Sequence, residues 1–312
     1  MNIIVLGGCG YIGSVLVNKL LNQNHKILVI DTQWFGNYLK PHKKLKIIKN
    51  DIRNLKNIKF RGYDSIIHLA NIANDPASEL NPNLSWEVNV LSTYQLVEKA
   101  INEGVKKFIY SSSGSVYGIK KERKVTEDLP PHPISIYNKT KMIAERILLS
   151  FRDKIDIKII RPATVCGLSS RMRLDVSVNL LSIQALEKRV ITIFGGQQKR
   201  PNIHISDLTN VFIYFLENNV ENGIYNAGFE NLSILNIGKI IQKSIDCKIK
   251  IKKDNDSRSY NLDSTKLLNT GFIPKYSIID AINEIKLSFA ERKLASMPRW
   301  YSVKWLKSIK VI

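Results

Sequence analysis

Tyr137 and Lys141 stand four residues apart in the stretch YNKTK, a spacing that puts both on one face if the stretch is helical. An ammonium beside a phenol favours the phenolate and draws tyrosine's ordinary pKa, about 10, toward working pH, as general acid/base chemistry needs. Just upstream lies SSSGSVYG, Ser111 to Gly118, whose hydroxyls could hold a reacting oxygen. A Tyr and a Lys at this spacing are commonplace in structural helices, so the pair carries meaning only with the rest of the chain.

The chain opens on VLGGCGYIGSVLV, Val5 to Val17. Gly7, Gly10 and Gly13 recur every third residue, and Gly8, Gly10 and Gly13 also satisfy G-x-G-x-x-G, directly after an apolar run and at the mouth of a helical stretch. Glycines there permit a tight turn, close approach of backbone to a pyrophosphate and close helix–sheet packing, while the helix N-terminus offers free N–H groups. A second apolar run ends at Asp31, where a carboxylate accepts both ribose hydroxyls and repels a 2′-phosphate, which favours NAD over NADP. Asp51 and Ile52, after the next apolar run, could bracket an adenine by a hydrogen bond and an apolar contact.

The elements that must position these residues follow from periodicity. Apolar runs at 2–6 and 26–30 flank helical spacing over 11–22, one βαβ unit. Further runs at 45–49, 65–69, 107–110 and 155–160 alternate with helical stretches at 85–103 and 137–151. Buried strands separated by helices imply an α/β fold with a Rossmann-like, doubly wound parallel sheet. Past Cys166 the rhythm loosens into helices near 176–188, 206–217, 233–244 and 278–294 and short strands at 190–194 and 223–227. This reads as a dinucleotide-binding domain over 1–166 and a smaller C-terminal α/β substrate-binding lobe over 167–312, with segments near 203–217 able to return to the first domain.

Composition narrows the partners. The chain has 312 residues, 47 Lys+Arg against 27 Asp+Glu and a formal charge of +20, a balance that suits nucleic acid, an anionic surface or an anionic small ligand. The lysines are scattered in short groups and not gathered into one stripe with interleaved aromatics, so nucleic acid is not the expected partner. No apolar run is long enough to span a membrane. Met1 leads straight into an apolar run with no leader-like pattern, so the expected location is cytoplasmic. Cys9, Cys166 and Cys247 are isolated, which gives neither a metal site nor a disulfide framework. The tail MPRWYSVKWLKSIKVI mixes cations with aromatics; it fits a membrane-surface or partner helix, or a segment packed on its own domain or a sister subunit.

Taken in order, these pieces resemble the extended short-chain dehydrogenase/reductase family, specifically its nucleotide-sugar epimerases and dehydratases. The resemblance runs through the glycine turn, Asp31, Asp51-Ile52, HLA at His68 to Ala70, Asn89, SSSGSVYG, Tyr137-x-x-x-Lys141, RPATVCG from Arg161, RPNIHISDL from Arg200 and RSYNLDSTKL from Arg258. It implies Tyr137 as acid/base, Lys141 as the residue that holds the nicotinamide ribose and tunes Tyr137, and Ser113 as the hydroxyl partner. The same resemblance implies a cofactor site from Gly7, Gly10, Tyr11, Ile12, Gly13, Asp31, Asp51, Ile52, Leu69, Ala70, Asn89, Ser111, Lys141, Arg161 and Pro162. Ser112, Ser113, Asn179, Arg200 and Arg258 fall where the family holds its nucleotide-diphosphate sugar, and Arg forks suit phosphate. Relatives pair through two helices per subunit, which implies a homodimer here.

Two departures matter. Leu6 precedes the first glycine where Thr is common, and Ser113-Gly114-Ser115 lacks the Asp-Glu pair that follows the hydroxyl residue in 4,6-dehydratases. The stretch VCGLSSRMRLDVSVN, Val165 to Asn179, is similar to enzymes acting on sugars of bacterial surface polysaccharides. The expected activity is therefore NAD-dependent oxidation at a sugar hydroxyl, C4 foremost, with epimerisation ahead of one-step dehydrogenation or reduction and dehydration last. A dinucleotide-sensing protein without catalysis is the alternative from another class.

Overall fold

The protein is described by a computed structural model over residues 1–253 and 259–310. Its strands are β1 (Asn2–Leu6), β2 (Lys26–Asp31), β3 (Leu45–Lys49), β4 (Ser65–His68), β5 (Lys107–Ser111), β6 (Asp156–Pro162), β7 (Thr164–Cys166), β8 (Val190–Phe194), β9 (Lys199–His204), β10 (Gly223–Ala227), β11 (Glu230–Ser233) and β12 (Lys248–Lys252). Seven of them form one parallel sheet in the order β10-β6-β5-β4-β1-β2-β3. The β1 residues Ile3, Ile4, Val5 and Leu6 are fully buried, as continuous apolar strands covered on both faces require.

One face of this sheet is closed by the helices Tyr11–Asn22 and Ile205–Glu217, through Leu16, Val17 and Leu20 of the first and Leu208, Phe212 and Phe215 of the second. The other is closed by Ser92–Asn102 and Ile136–Leu149, through Leu96, Val97, Ala144 and Leu148. The strand order reverses between β1 and β4, and an open α/β sheet binds ligands in the crevice at such a point. The glycine turn, the loop after His68 and the serine stretch after β5 all leave the sheet at this edge.

The second lobe carries β7, β9 and β11 in one small sheet and β8 with β12 in another. Its core is built by Val178, Leu181, Ile237, Ile241, Ile278 and Ile282 from the helices Ser177–Lys188, Ile234–Ser244 and Ile278–Ala290. The two halves interleave: β10 pairs with β6 in the large sheet, and the Lys19 ammonium bonds the Ser206 carbonyl at 2.9 Å and Asn210 at 2.8 Å.

The helix read over 85–103 is three pieces, Pro82–Trp86, a wider π turn at Glu87–Leu91 and Ser92–Asn102. The aromatic tail packs on its own chain. Trp300 is buried against Tyr38 at 5.3 Å between ring centres, and the Trp305 indole donates to the Trp34 carbonyl at 2.6 Å. Among the described residues no helix is long and apolar enough to cross a membrane, and the three cysteines are free and buried.

Candidate active site

A cavity of about 520 Å³ opens along the crevice, within the range of small-molecule sites. Gly7, Gly10, Tyr11, Ile12 and Gly13 line one wall. Gly7 has φ +81°, and a Cβ there would stand 2.6 Å from the Ala70 nitrogen; one on Gly13 would stand 2.4 Å from the Gly7 carbonyl oxygen. Only hydrogen fits at either position, which packs the turn between β4 and its own helix. That helix begins at Gly10 with no side chain capping it, so its first N–H groups are available to a phosphate.

Asp31 ends β2, and its carboxylate accepts the Cys9 N–H at 3.0 Å and the Gln33 N–H at 2.7 Å. Two bonds leave a carboxylate with acceptor capacity for a diol. Burial raises its pKa above the ordinary carboxylate value, the two N–H bonds opposing. Arg171 packs its guanidinium 4.0 Å from the Phe35 ring centre on the cavity wall, and its Nε is buried without a partner, as is the Asn71 side-chain nitrogen. Buried donors left unmet beside an open cavity fit an acceptor-rich ligand; a dinucleotide with its pyrophosphate on the glycine turn is such a ligand.

The tyrosine, the lysine and the serines lie across the cavity. Ser135 caps the helix Ile136–Leu149 by accepting the Asn138 N–H at 3.1 Å, which directs Tyr137 and Lys141 from the first turns to the cavity with Ser111, Ser112 and Ser113. Lys141 is 2% exposed and donates to the Ser111 carbonyl at 2.6 Å. Its ammonium is 4.7 Å from the Tyr110 ring centre and 5.8 Å from that of Tyr137. Burial pulls the Lys141 ammonium down to about 7, with Glu145 opposing. Burial pushes the Tyr137 phenol up to about 12, against a hydrogen bond from Ser113 and the charge of Arg173. Desolvation of the buried phenolate thus works against the lowering that a neighbouring ammonium would bring.

Leu69, Pro162 and Arg200 also line the cavity. Several expected residues stand behind it or away from it. Arg161 is 2% exposed and bonds Glu145 through Nε at 2.9 Å and Nη2 at 2.6 Å; Glu145 also accepts the Ser112 hydroxyl. Asn89 sits in the π turn, exchanges hydrogen bonds with the Ile72 backbone at 2.8 and 3.1 Å and donates to Thr140, bracing the cavity loop. Asn179 spends its amide on the Gly167 N–H, the Tyr11 hydroxyl and the Arg173 carbonyl. Asp51 is ion-paired with Arg53 at 2.9 Å in a shallow surface depression, and Ile52 is buried in the core beneath. Ala70 contributes the backbone that Gly7 abuts. Arg258 lies outside the described residues.

Other wall residues were not singled out by the sequence. They include Asp75, Arg171, Trp34, Phe35, Leu306 and Arg173, whose Nε pairs with Asp175 at 2.8 Å. The quoted stretch VCGLSSRMRLDVSVN held the two arginines, but their spacing gave no face to assign them to.

The family model described as the NAD dependent epimerase/dehydratase family matches residues 3–228. The UDP-glucose 4-epimerase of Lactobacillus helveticus is 29% identical over 318 residues, 90% of this chain and 94% of its own. The structure of a Thermotoga maritima UDP-glucose 4-epimerase with UDP-glucose matches with a TM-score of 0.85 at 26% identity, over 94% of this chain and 99% of that one. A Bacillus cereus UDP-glucuronic acid 4-epimerase, in complex with UDP-glucuronic acid and NAD, matches with a TM-score of 0.79 at 29% identity, over 92% and 99%.

Proposed function

Because this chain belongs to the NAD dependent epimerase/dehydratase family, we propose that it is a nucleotide-sugar 4-epimerase that oxidises the C4 hydroxyl of a nucleotide-diphosphate sugar and reduces the ketone from the other face. The observation that carries the reading is the meeting of Tyr137, Ser113 and Lys141 in the cavity whose other wall is the glycine turn. The chemistry that bound NAD supplies is reversible acceptance of a hydride by a cationic ring. The glycine turn and the uncapped N-terminus of the helix Tyr11–Asn22 hold its pyrophosphate, Asp31 its adenosine ribose and Lys141 its nicotinamide ribose. Pro162, Leu69 and Ser111 complete the pocket.

Tyr137 Oη takes the proton of the sugar hydroxyl and returns it to the product oxygen, and Ser113 holds that oxygen in place. A phenol raised to about 12 is a poor base at neutral pH; the positive charge of Lys141 and that of the oxidised cofactor both act to lower it once the site is filled. Arg173 and Arg200 face the cavity as cations and suit the substrate diphosphate. No carboxylate follows Ser113 to drive loss of water, since Gly114 and Ser115 occupy that place.

The homodimer inferred from the family resemblance would pair the helices Ser92–Asn102 and Ile136–Leu149, near which Leu91 and Tyr94 are 53% and 39% exposed; light scattering tests it. A cytoplasmic location agrees with a nucleotide-sugar substrate. The function is tested by incubating the protein with UDP-glucose and resolving the hexoses released by hydrolysis. The C4 isomer forms with wild type, and Tyr137→Phe slows its formation by about a hundredfold or more. A keto sugar with reduced cofactor and no isomer, or full activity in Tyr137→Phe, overturns the proposal.

A further inference from the structure

The cavity wall holds a run of polar side chains that the mechanism above leaves unused. Asp75 opens the short helix Asp75–Ser78, and its Oδ1 accepts the Ser135 hydroxyl at 2.6 Å and the Asn138 amide at 3.1 Å. Asn138 follows Tyr137, is 2% exposed and donates from the same nitrogen to Ser115 Oγ at 2.9 Å. Ser115 Oγ lies 2.7 Å from Ser113 Oγ, and the Ser115 N–H donates to Ser113 Oγ at 3.2 Å. Ser113 shares the cavity wall with Tyr137 and acts to lower the pKa of its phenol.

The carboxylate fixes the direction of the first bonds in this run. A carboxylate only accepts, so the amide face turned to Asp75 is the NH₂ of Asn138, and Ser115 Oγ beside the same nitrogen accepts from it. Either hydroxyl can donate in the Ser115–Ser113 bond; in the arrangement inferred below the Ser115 proton goes to Ser113 Oγ. Ser113 thereby accepts twice, from the Ser115 hydroxyl and from the Ser115 backbone, which fills both lone pairs. Its own O–H is left to donate.

We infer that Asp75, Asn138 and Ser115 are positioning residues that set Ser113 as a hydrogen-bond donor to the reacting sugar oxygen and leave Tyr137 as the sole proton acceptor. The inference rests on the epimerase reading for the identity of that oxygen. The backbone supports a built device: Asn74, before Asp75, holds φ +82°, a left-handed conformation costly for a residue with a side chain, and its side chain accepts the Ala77 N–H at 2.9 Å.

The charged and titratable groups that face Tyr137 are Lys141 on its own helix, Asp75 on the Asp75–Ser78 helix, Arg173 in the loop after Gly167 and Tyr110 on β5. Asn138→Leu and Ser115→Ala leave all four in place. Before the sugar binds, the same Ser113 O–H is free to serve the Tyr137 phenolate, and a donor favours the ionised form, so losing the fixed polarity raises the pH at which Tyr137 works in the free enzyme.

The test mixes the NAD-loaded full chain with UDP-glucose and follows the near-ultraviolet absorbance of reduced dinucleotide against pH, with thermal melts confirming that each variant is folded. Asn138→Leu and Ser115→Ala slow the first hydride transfer by about tenfold or more. The acid limb moves up by about half to one pH unit. Ser115→Thr, which keeps the hydroxyl, restores both. Variants that react at the wild-type rate, or slow with the acid limb unmoved, overturn the inference. Isomer content of the same samples separates the two claims: reduction without isomer overturns the epimerase reading alone, and no reduction by wild type overturns both.

Discussion

Replacing Arg161 by Met separates a structural cation from a cofactor ligand. Its guanidinium meets Glu145 through two bonds, Nε at 2.9 Å and Nη2 at 2.6 Å, and the two side chains are 2% and 1% exposed. It also packs on Tyr117, 4.7 Å from the ring centre, and although burial works against its charge, Glu145 more than compensates and holds its pKa above the ordinary arginine value. Methionine fills much of the same volume but leaves a buried carboxylate that still accepts the Ser112 hydroxyl and has lost both guanidinium bonds. Removing one partner of a buried pair costs roughly 3–5 kcal/mol, mostly the desolvation of the charge left behind. At about 2 °C per kcal/mol for a chain of this size, Tm falls by about 6–10 °C in a melt followed by circular dichroism. Glu145→Gln combined with Arg161→Met regains most of the loss, because the residual site is neutral. Dinucleotide affinity, measured by calorimetry on the folded variant, changes little. A Tm within about 2 °C of wild type together with lost NAD binding would refute the reasoning and return Arg161 to the cofactor site implied by family resemblance.

Lys141→Met alters the pH dependence of stability in a direction the structure fixes. The native ammonium gives up its proton near 7 because it is buried, whereas an unfolded lysine does so near about 10.4. Between those values the unfolded chain holds more protons, so wild-type stability rises with pH across that window by a few kcal/mol relative to the variant; parallel urea curves for the two proteins check the slope. Gly13→Ala puts a methyl group 2.4 Å from the Gly7 carbonyl oxygen and 2.7 Å from the Gly8 Cα, neither of which can yield without opening the turn. The variant is destabilised by about 1–3 kcal/mol and purifies with less dinucleotide, as absorbance of the acid-released ligand reads. Leu306→Ser opens the cavity wall where the tail covers it; Leu306 is 3% exposed, so the change costs about 2–4 kcal/mol and speeds release of bound dinucleotide, followed by dialysis.

Elements held by their own neighbours were legible, and contacts between distant segments were not. The runs Asn2–Leu6, Leu45–Lys49, Val190–Phe194 and Gly223–Ala227 and the helix Tyr11–Asn22 have the bounds their periodicity predicts, because apolar spacing is a local property. Periodicity names no partner, so nothing in the Gly223–Ala227 run tells that it extends the sheet of the first half beyond β6. The π turn at Glu87–Leu91 escaped for a similar reason: the Asn89 amide answers the Ile72 backbone, a bond invisible to helical spacing. The tail's aromatics found partners in Trp34 and Tyr38, far away in sequence.

The candidate site divides along the same line. Glycines, Asp31, Tyr137 and Lys141 announce themselves by spacing within one turn or one βαβ unit. Asp75 does not, since it lies on a four-residue helix and gains meaning only when Asn138 and Ser135, some sixty positions on, bring the helix Ile136–Leu149 against it. Resemblance reached farther than spacing, yet for Arg161 and Asn179 it delivered residues that stand behind the wall and hold it. A side chain that must reach a ligand and one that must hold its neighbour leave the same mark in a sequence; burial and hydrogen-bond direction tell them apart.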